Sequence, residues 1–133
     1  MALETVKHMS NPPKPAPVFL SIVIPTFRRE ALLAPLLHAL DAQISSLQSP
    51  VEVILVDNSP EGSAAQIGRP PFIRYVHEPR PGVAQARNRG VNESAGSHVV
   101  FLDDDETPFP GWLAAFEAAA MRGAAVCFGA IEP

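Results

Sequence analysis

Short apolar, β-branched runs that alternate with segments of helical spacing predict an α/β fold, a mostly parallel Rossmann-like sheet with helices on both faces. Three observations carry that prediction. The runs at 19–24, 51–56, 72–76 and 98–102 end on turn-forming or charged residues. Leucines recur at helical spacing after the first run, and an Ala-rich stretch follows the fourth. Polar residues gather just beyond each run: Thr26, Asp57, the segment after Val76, and the three consecutive acids Asp103, Asp104 and Asp105. In a parallel sheet these positions share one edge, outside the carboxyl ends of the strands, where such folds bind ligands.

The first strand, Phe19 to Ile24, is expected to stop at Pro25, which has no N–H for a ladder. A helix follows from about Glu30 to Gln43, with Leu32, Leu33, Leu36, Leu37 and Leu40 as its apolar face and Pro35 removing one hydrogen bond. Pro50 introduces the second strand, Val51 to Val56, which ends on Asp57-Asn58-Ser59-Pro60. Glu61 to Gly68 is at most a short helix. Phe72 to Val76 is the third strand, and helical character resumes from Val83 to about Ser94, weakened by Asn88, Gly90 and Asn92. His98 to Leu102 is the fourth strand, Pro110 to Met121 a helix with Pro in its first turn, and Ala124 to Ile131 a fifth strand. Residues 1–17, with Pro12, Pro13, Pro15 and Pro17, suit neither helix nor ladder and form a tail outside the domain at 18–133.

A chain of 133 residues holds one domain with a sizeable core. Lys+Arg 10 against Asp+Glu 14 gives a net charge of −4, so no general basic field draws nucleic acid. The single cysteine, Cys127, excludes an intramolecular disulfide and fits a reducing compartment. No apolar run reaches the roughly 18 residues that a membrane span needs, and the first 17 residues lack the apolar centre of a signal peptide. A cytoplasmic location is therefore expected. Peripheral membrane contact is compatible with it, since a lipid-linked substrate leaves no sign in these residues. His8, His38, His77 and His98 show no metal-ligand spacing.

Asp103, Asp104 and Asp105 stand where a strand leaves the core, and neighbouring carboxylates raise one another's pKa unless a cation relieves them. In an extended chain residues i and i+2 share a face roughly 7 Å apart, which pairs Asp103 with Asp105 and turns Asp104 away. The other reading is an acidic turn that caps the next helix, with Asp105, Glu106 and Pro108 contributing. Gly82-Val-Ala-Gln-Ala-Arg-Asn-Arg-Gly90 is a second dense motif, in which the helix amino terminus after Gly82 can accept anionic or polar groups. It is neither the dinucleotide fingerprint nor the phosphate loop. Arg87 can meet a base or phosphate through its planar fork, or pair with one of the aspartates. Asp57 can cap a short helix or accept a hydrogen bond from a base.

These motifs resemble, across nearly all of Leu20 to Pro133, the amino-terminal, nucleotide-sugar-binding part of family 2 glycosyltransferases of the GT-A fold. The resemblance rests on Ser21-Ile-Val-Ile-Pro-Thr-Phe27, Glu52-Val-Ile-Leu-Val-Asp-Asn-Ser59, Gly82 to Gly90, Phe101-Leu-Asp-Asp-Asp-Glu106 and Gly111-Trp-Leu113. It implies a glycosyltransferase, or its donor-binding half, that moves a sugar from a nucleoside-diphosphate sugar to an acceptor with inversion. By that likeness Pro25 and Thr26 line the nucleotide site, Asp57 contacts the base, and Arg87 contacts the base or its surroundings. Asp103 or Asp104 holds the ribose, and Asp105, with Asp103, binds a Mg²⁺ or Mn²⁺ that bridges the diphosphate.

Arg28 departs from the family pattern, in which many relatives have Asn after the Pro-Thr-aromatic triplet. Length departs as well: similar family members continue further, and that further part carries the acceptor site and the general base. The chain reads as truncated, and the alternative function is a non-catalytic nucleotide-binding fragment. An aspartate-dependent phosphotransferase ranks below both, because the only lysines, Lys7 and Lys14, lie in the tail. A sheet without its usual cover predicts self-association through an exposed edge.

Overall fold

Every residue of β1 (Leu20–Thr26) is buried, which demands a strand on either side and cover on both faces. The computed structural model, which describes residues 17–126 and Gly129, supplies all four. β1 pairs in parallel with β2 (Val51–Asp57) on one side and β4 (His98–Phe101) on the other, and β3 (Ile73–His77) pairs in parallel with β2. The order is β3-β2-β1-β4. Register sets Thr26 beside Asp57 and Asp57 beside His77, so three strands end level with one another.

Alternate residues of β1 serve opposite faces. Leu20, Ile22 and Ile24 pack with Leu33, Leu36, Leu37 and Leu40 of α1 (Glu30–Ile44) and with Leu113 of α3 (Trp112–Met121). Val23 packs on the other side with Ile54, Val56, Val76 and Ala86 of α2 (Val83–Glu93). The expected mostly parallel α/β sheet, covered on both faces, is thus what the chain forms. Leu32 leaves the apolar face of α1 and is 43% exposed. Pro35 lies within α1. A proline costs a helix interior about 3 kcal/mol, and burying four leucines at about 2 kcal/mol each outweighs it.

Two boundaries differ from expectation for local reasons. β1 continues through Pro25 because the missing N–H faces a side with no partner: Val23 O accepts from Leu102 N (3.1 Å) and Thr26 O from Asn58 N (2.8 Å), so odd residues address β4 and even ones β2. β4 has ended at Phe101 by the level of Pro25, so no ladder bond is lost there. α3 begins at Trp112 and not at Pro110, because Gly111 holds a left-handed φ of 84°. Gln43 of α1 then caps α3, its Oε1 accepting from Leu113 N (2.8 Å) and its Nε2 donating to Phe109 O (2.7 Å). Of the expected fifth strand, Ala124 to Val126 and Gly129 are described and form no strand, and the rest lies outside the described residues, as does all but Pro17 of the tail.

α2 sits unusually close to the sheet. A Cβ on Gly90 would stand 2.2 Å from Val23 Cγ1, so only glycine allows this approach. The contact fixes the height of α2 and with it the position of Gly82 and Arg87 near the strand ends. Among the described residues no helix is long and apolar enough to cross a membrane.

Candidate functional site

The ends of β1, β2 and the β4 connection, with the start of α2, surround an open cleft of about 480 Å³. Pro25, Asn58, Gly82, Arg87 and all three aspartates line it, as does Arg29. A larger hollow of about 610 Å³ runs along β4 beside Trp112 and Phe116. It is mostly apolar and holds none of the three aspartates, so the chemistry belongs to the smaller cleft.

The aspartates follow a turn and do not keep the extended pairing expected of them. After buried Leu102 the chain folds back, with Glu106 N donating to Asp103 O (3.1 Å) and Asp103 N donating to Glu106 Oε1 (3.1 Å). Asp103 meets Arg87 Nη2 at 3.0 Å. Asp104 is the buried one: Thr26 Oγ1 donates to its Oδ2 (2.9 Å), and Arg29 Nη1 lies 3.2 Å from its Oδ1. The same Arg29 nitrogen is 3.1 Å from Asp105 Oδ2. Asp104, and next a hydrogen bond to Asp105, hold the Arg29 guanidinium above its ordinary pKa. The helix-cap reading fails, because α3 has no acid in its first turn and no side-chain cap of its own.

Thr26 and Asp57 lie beneath the cleft and not on it. Thr26 is 3% exposed and supports Asp104. Asp57 is fully buried, and four donors meet its oxygens: Ser59 N (2.9 Å) and Ser59 Oγ (2.8 Å) on Oδ1, Ala64 N (2.8 Å) and the Tyr75 hydroxyl (2.8 Å) on Oδ2. Burial pushes this carboxyl up, but those hydrogen bonds outweigh it and hold its pKa below the usual value. The Tyr75 hydroxyl is pushed up to about 12, by burial first and then by Asp57. In this arrangement Asp57 shapes the turn after β2 and presents no free oxygen to a base.

Asn58, one residue on, does line the cleft. Its Nδ2 donates to Glu78 O (2.9 Å) and Arg80 O (2.7 Å), and its Oδ1 accepts from Gly82 N (3.2 Å). One side chain thereby straps the segment after β3 to the end of β2. Within that segment Arg80 hydrogen-bonds Glu78 and holds its carboxyl down at about 2. Gly82, at φ 115°, starts α2 with open space where a side chain would stand and no side-chain cap. The first N–H groups of α2 therefore lack a side-chain acceptor, which suits an anion. Arg87 lies over the Phe101 ring at 5.8 Å, and its buried Nε has no hydrogen-bond partner among the described residues.

Arg29 and Asn58 are the polar cleft side chains that the sequence reading missed. Two arginines directly after β1, next in the sheet to a strand that ends on three acids, were the available signal for Arg29; Asn58 was hidden among turn formers. Among the described residues no three His, Cys, Asp or Glu side chains converge as a metal cluster, although Asp104 and Asp105 converge on one cationic nitrogen.

Comparison with known proteins places this cleft in a family. The model of Glycosyl transferase family 2 matches residues 21–132. The succinoglycan biosynthesis protein ExoM of Rhizobium meliloti is 38% identical over 120 residues, covering 85% of this chain and 38% of its own length. The glycosyltransferase AglE of Haloferax volcanii is 30% identical over 101 residues, 71% of this chain and 33% of AglE. A crystal structure of S. aureus TarS, residues 1–349, aligns with a TM-score of 0.56 at 22% identity, over 76% of this chain and 31% of that one, and so shares the fold. The chain thus spans about a third of the length of these relatives. Since the family model covers nearly all of the described domain, this chain belongs to glycosyl transferase family 2.

Proposed function

We propose that the cleft binds the nucleoside diphosphate part of a sugar donor together with a divalent cation, and that the chain is the donor-binding part of an inverting glycosyltransferase. The observation that carries this reading is the gathering of Pro25, Asn58, Gly82, Arg87 and the three aspartates, from three strand ends and one helix start, around a single cleft. The donor set suits Mg²⁺ or Mn²⁺: the carboxylates offer hard oxygens, and two of them already share one cation, the Arg29 guanidinium. When bound, such an ion supplies charge stabilisation for the departing diphosphate.

The remaining work falls to the chain's own groups. Arg87, whose side chain is partly exposed at the cleft, offers the end of its fork to phosphate or base. The amino terminus of α2 adds N–H groups and the positive end of a helix dipole. Asp103, at the cleft and half exposed, is free to exchange Arg87 for the cation or the ribose hydroxyls. Thr26 fixes Asp104 from below, and Asp57 with Asn58 sets the floor against which a base lies. Calorimetry with UDP, GDP and dTDP tests this reading: at least one should bind with Mn²⁺ present and far more weakly without it. No binding in any combination would contradict it.

A second reading, binding without transfer, is favoured by one observation. Each of the three cleft carboxylates is paired with an arginine, so none stands free as a general base. A donor-hydrolysis assay separates the two, because partial competence releases free sugar whereas binding alone does not.

A further inference from the structure

Arg29 Nη1 stands 3.2 Å from Asp104 Oδ1 and 3.1 Å from Asp105 Oδ2, so one cationic nitrogen sits between carboxylates of adjacent residues. Helix chemistry does not explain it. Arg29 is the N-cap of α1 yet makes no side-chain capping bond. Ser, Thr, Asp and Asn are the residues favoured there, and a cation at a helix amino terminus opposes the dipole. The fixed member of the group is Asp104, which is 8% exposed and anchored by Thr26. Arg29 is 49% exposed and lines the same cleft as Arg87 and Gly82, with solvent into which its long side chain can swing.

We propose that Arg29 is a stand-in cation: it neutralises Asp104 and Asp105 until a divalent ion takes its place between them, and it is then released toward the phosphates of the ligand. The inference rests on the metal reading given above. Arg29 Nη1 and a metal ion cannot occupy the same gap between the two carboxylates. A doubly charged ion meets hard oxygens more strongly than a delocalised guanidinium does, so the exchange runs toward the ion once it is present. The freed guanidinium then offers a planar fork to phosphate oxygens from the face opposite α2. Cation and nucleotide are thereby coupled through one side chain.

The test uses Mn²⁺ alone, with free Mn²⁺ followed by electron paramagnetic resonance, on the wild-type chain and Arg29→Gln. The variant should bind Mn²⁺ about tenfold more tightly, within the usual range of such couplings. It should melt at a lower temperature without metal and gain more from saturating Mn²⁺. Adding Asp105→Asn to the variant should cancel the gain, which ties the effect to this pair. In saturating Mn²⁺, Arg29→Gln should bind UDP about fivefold more weakly, again in the range of such couplings. Unchanged UDP affinity would overturn the release step. Equal or weaker Mn²⁺ binding by the variant would overturn the exchange while leaving the metal site in place. Absence of Mn²⁺ binding in both proteins, with or without UDP, would remove the inference and the metal reading together.

Discussion

Asp57 is the residue on which the local structure depends most. Its four donors come from the turn after β2 and from β3, so removing the carboxylate strands several buried groups at once. Asp57→Ala should cost about 3 kcal/mol, the loss expected when charge-assisted bonds break and buried donors are left unmet. Tyr75→Phe, which leaves the other three bonds in place, should cost about 1 kcal/mol. Urea unfolding of both variants measures the difference. Arg28 poses the opposite case. Its φ of 51° is a conformation that asparagine and glycine adopt easily and arginine does not. Its compensation is an exposed pair with Glu61, worth little in solvent. Arg28→Gly should therefore be neutral or stabilise by up to about 1 kcal/mol in the same unfolding experiment.

At the scale of elements, α2 shows most clearly how a weak helix is kept. Substituting Gly90 by alanine raises helix propensity by about 1 kcal/mol. The new Cβ would meet Val23 Cγ1 at 2.2 Å, and overpacking of that kind costs about 1–3 kcal/mol. The clash wins, so Gly90→Ala should destabilise, and adding Val23→Ala should recover part of the loss as a coupled pair. The sequence showed Gly90 only as a weakness in a helix; the reason for it lies across the interface, where no local pattern reports it. Strand and helix identities were legible, because β-branched runs and leucine spacing encode them locally. The end of β1 was not legible, since whether Pro25 breaks a ladder depends on where β4 stops. The same holds for the site: Asp103 to Asp105 and Arg87 stood out as motifs, whereas the bridging role of Arg29 and the strap made by Asn58 depend on which loops the sheet brings together.

For the whole molecule, pH and association follow from the same groups. Asp57, Glu52 and Glu78 all have folded pKa values below their unfolded ones. Their stabilisation is complete above the unfolded carboxyl range of about 4 and is lost as pH falls through the folded values. Glu78 is held down at about 2, so its share persists well into acid. Thermal melts at decreasing pH should be flat near neutrality and fall steeply in acid. The outer edge of β4 has no partner strand among the described residues, and Phe101 upon it is 45% exposed. Such an edge should promote concentration-dependent association, visible as a shift in size-exclusion elution on dilution; a monomer at every concentration would oppose it.

The cleft remains the centre of this picture, with Asp105 proposed to hold the cation and Arg87 with the start of α2 to meet the nucleotide. The most direct measurement is the affinity of the preferred nucleoside diphosphate for wild type and for Asp105→Asn, each with and without Mn²⁺. Mn²⁺ should strengthen binding to the wild type by about tenfold or more and should do little for the variant. Equal enhancement in both proteins, or none in the wild type, would contradict the assignment.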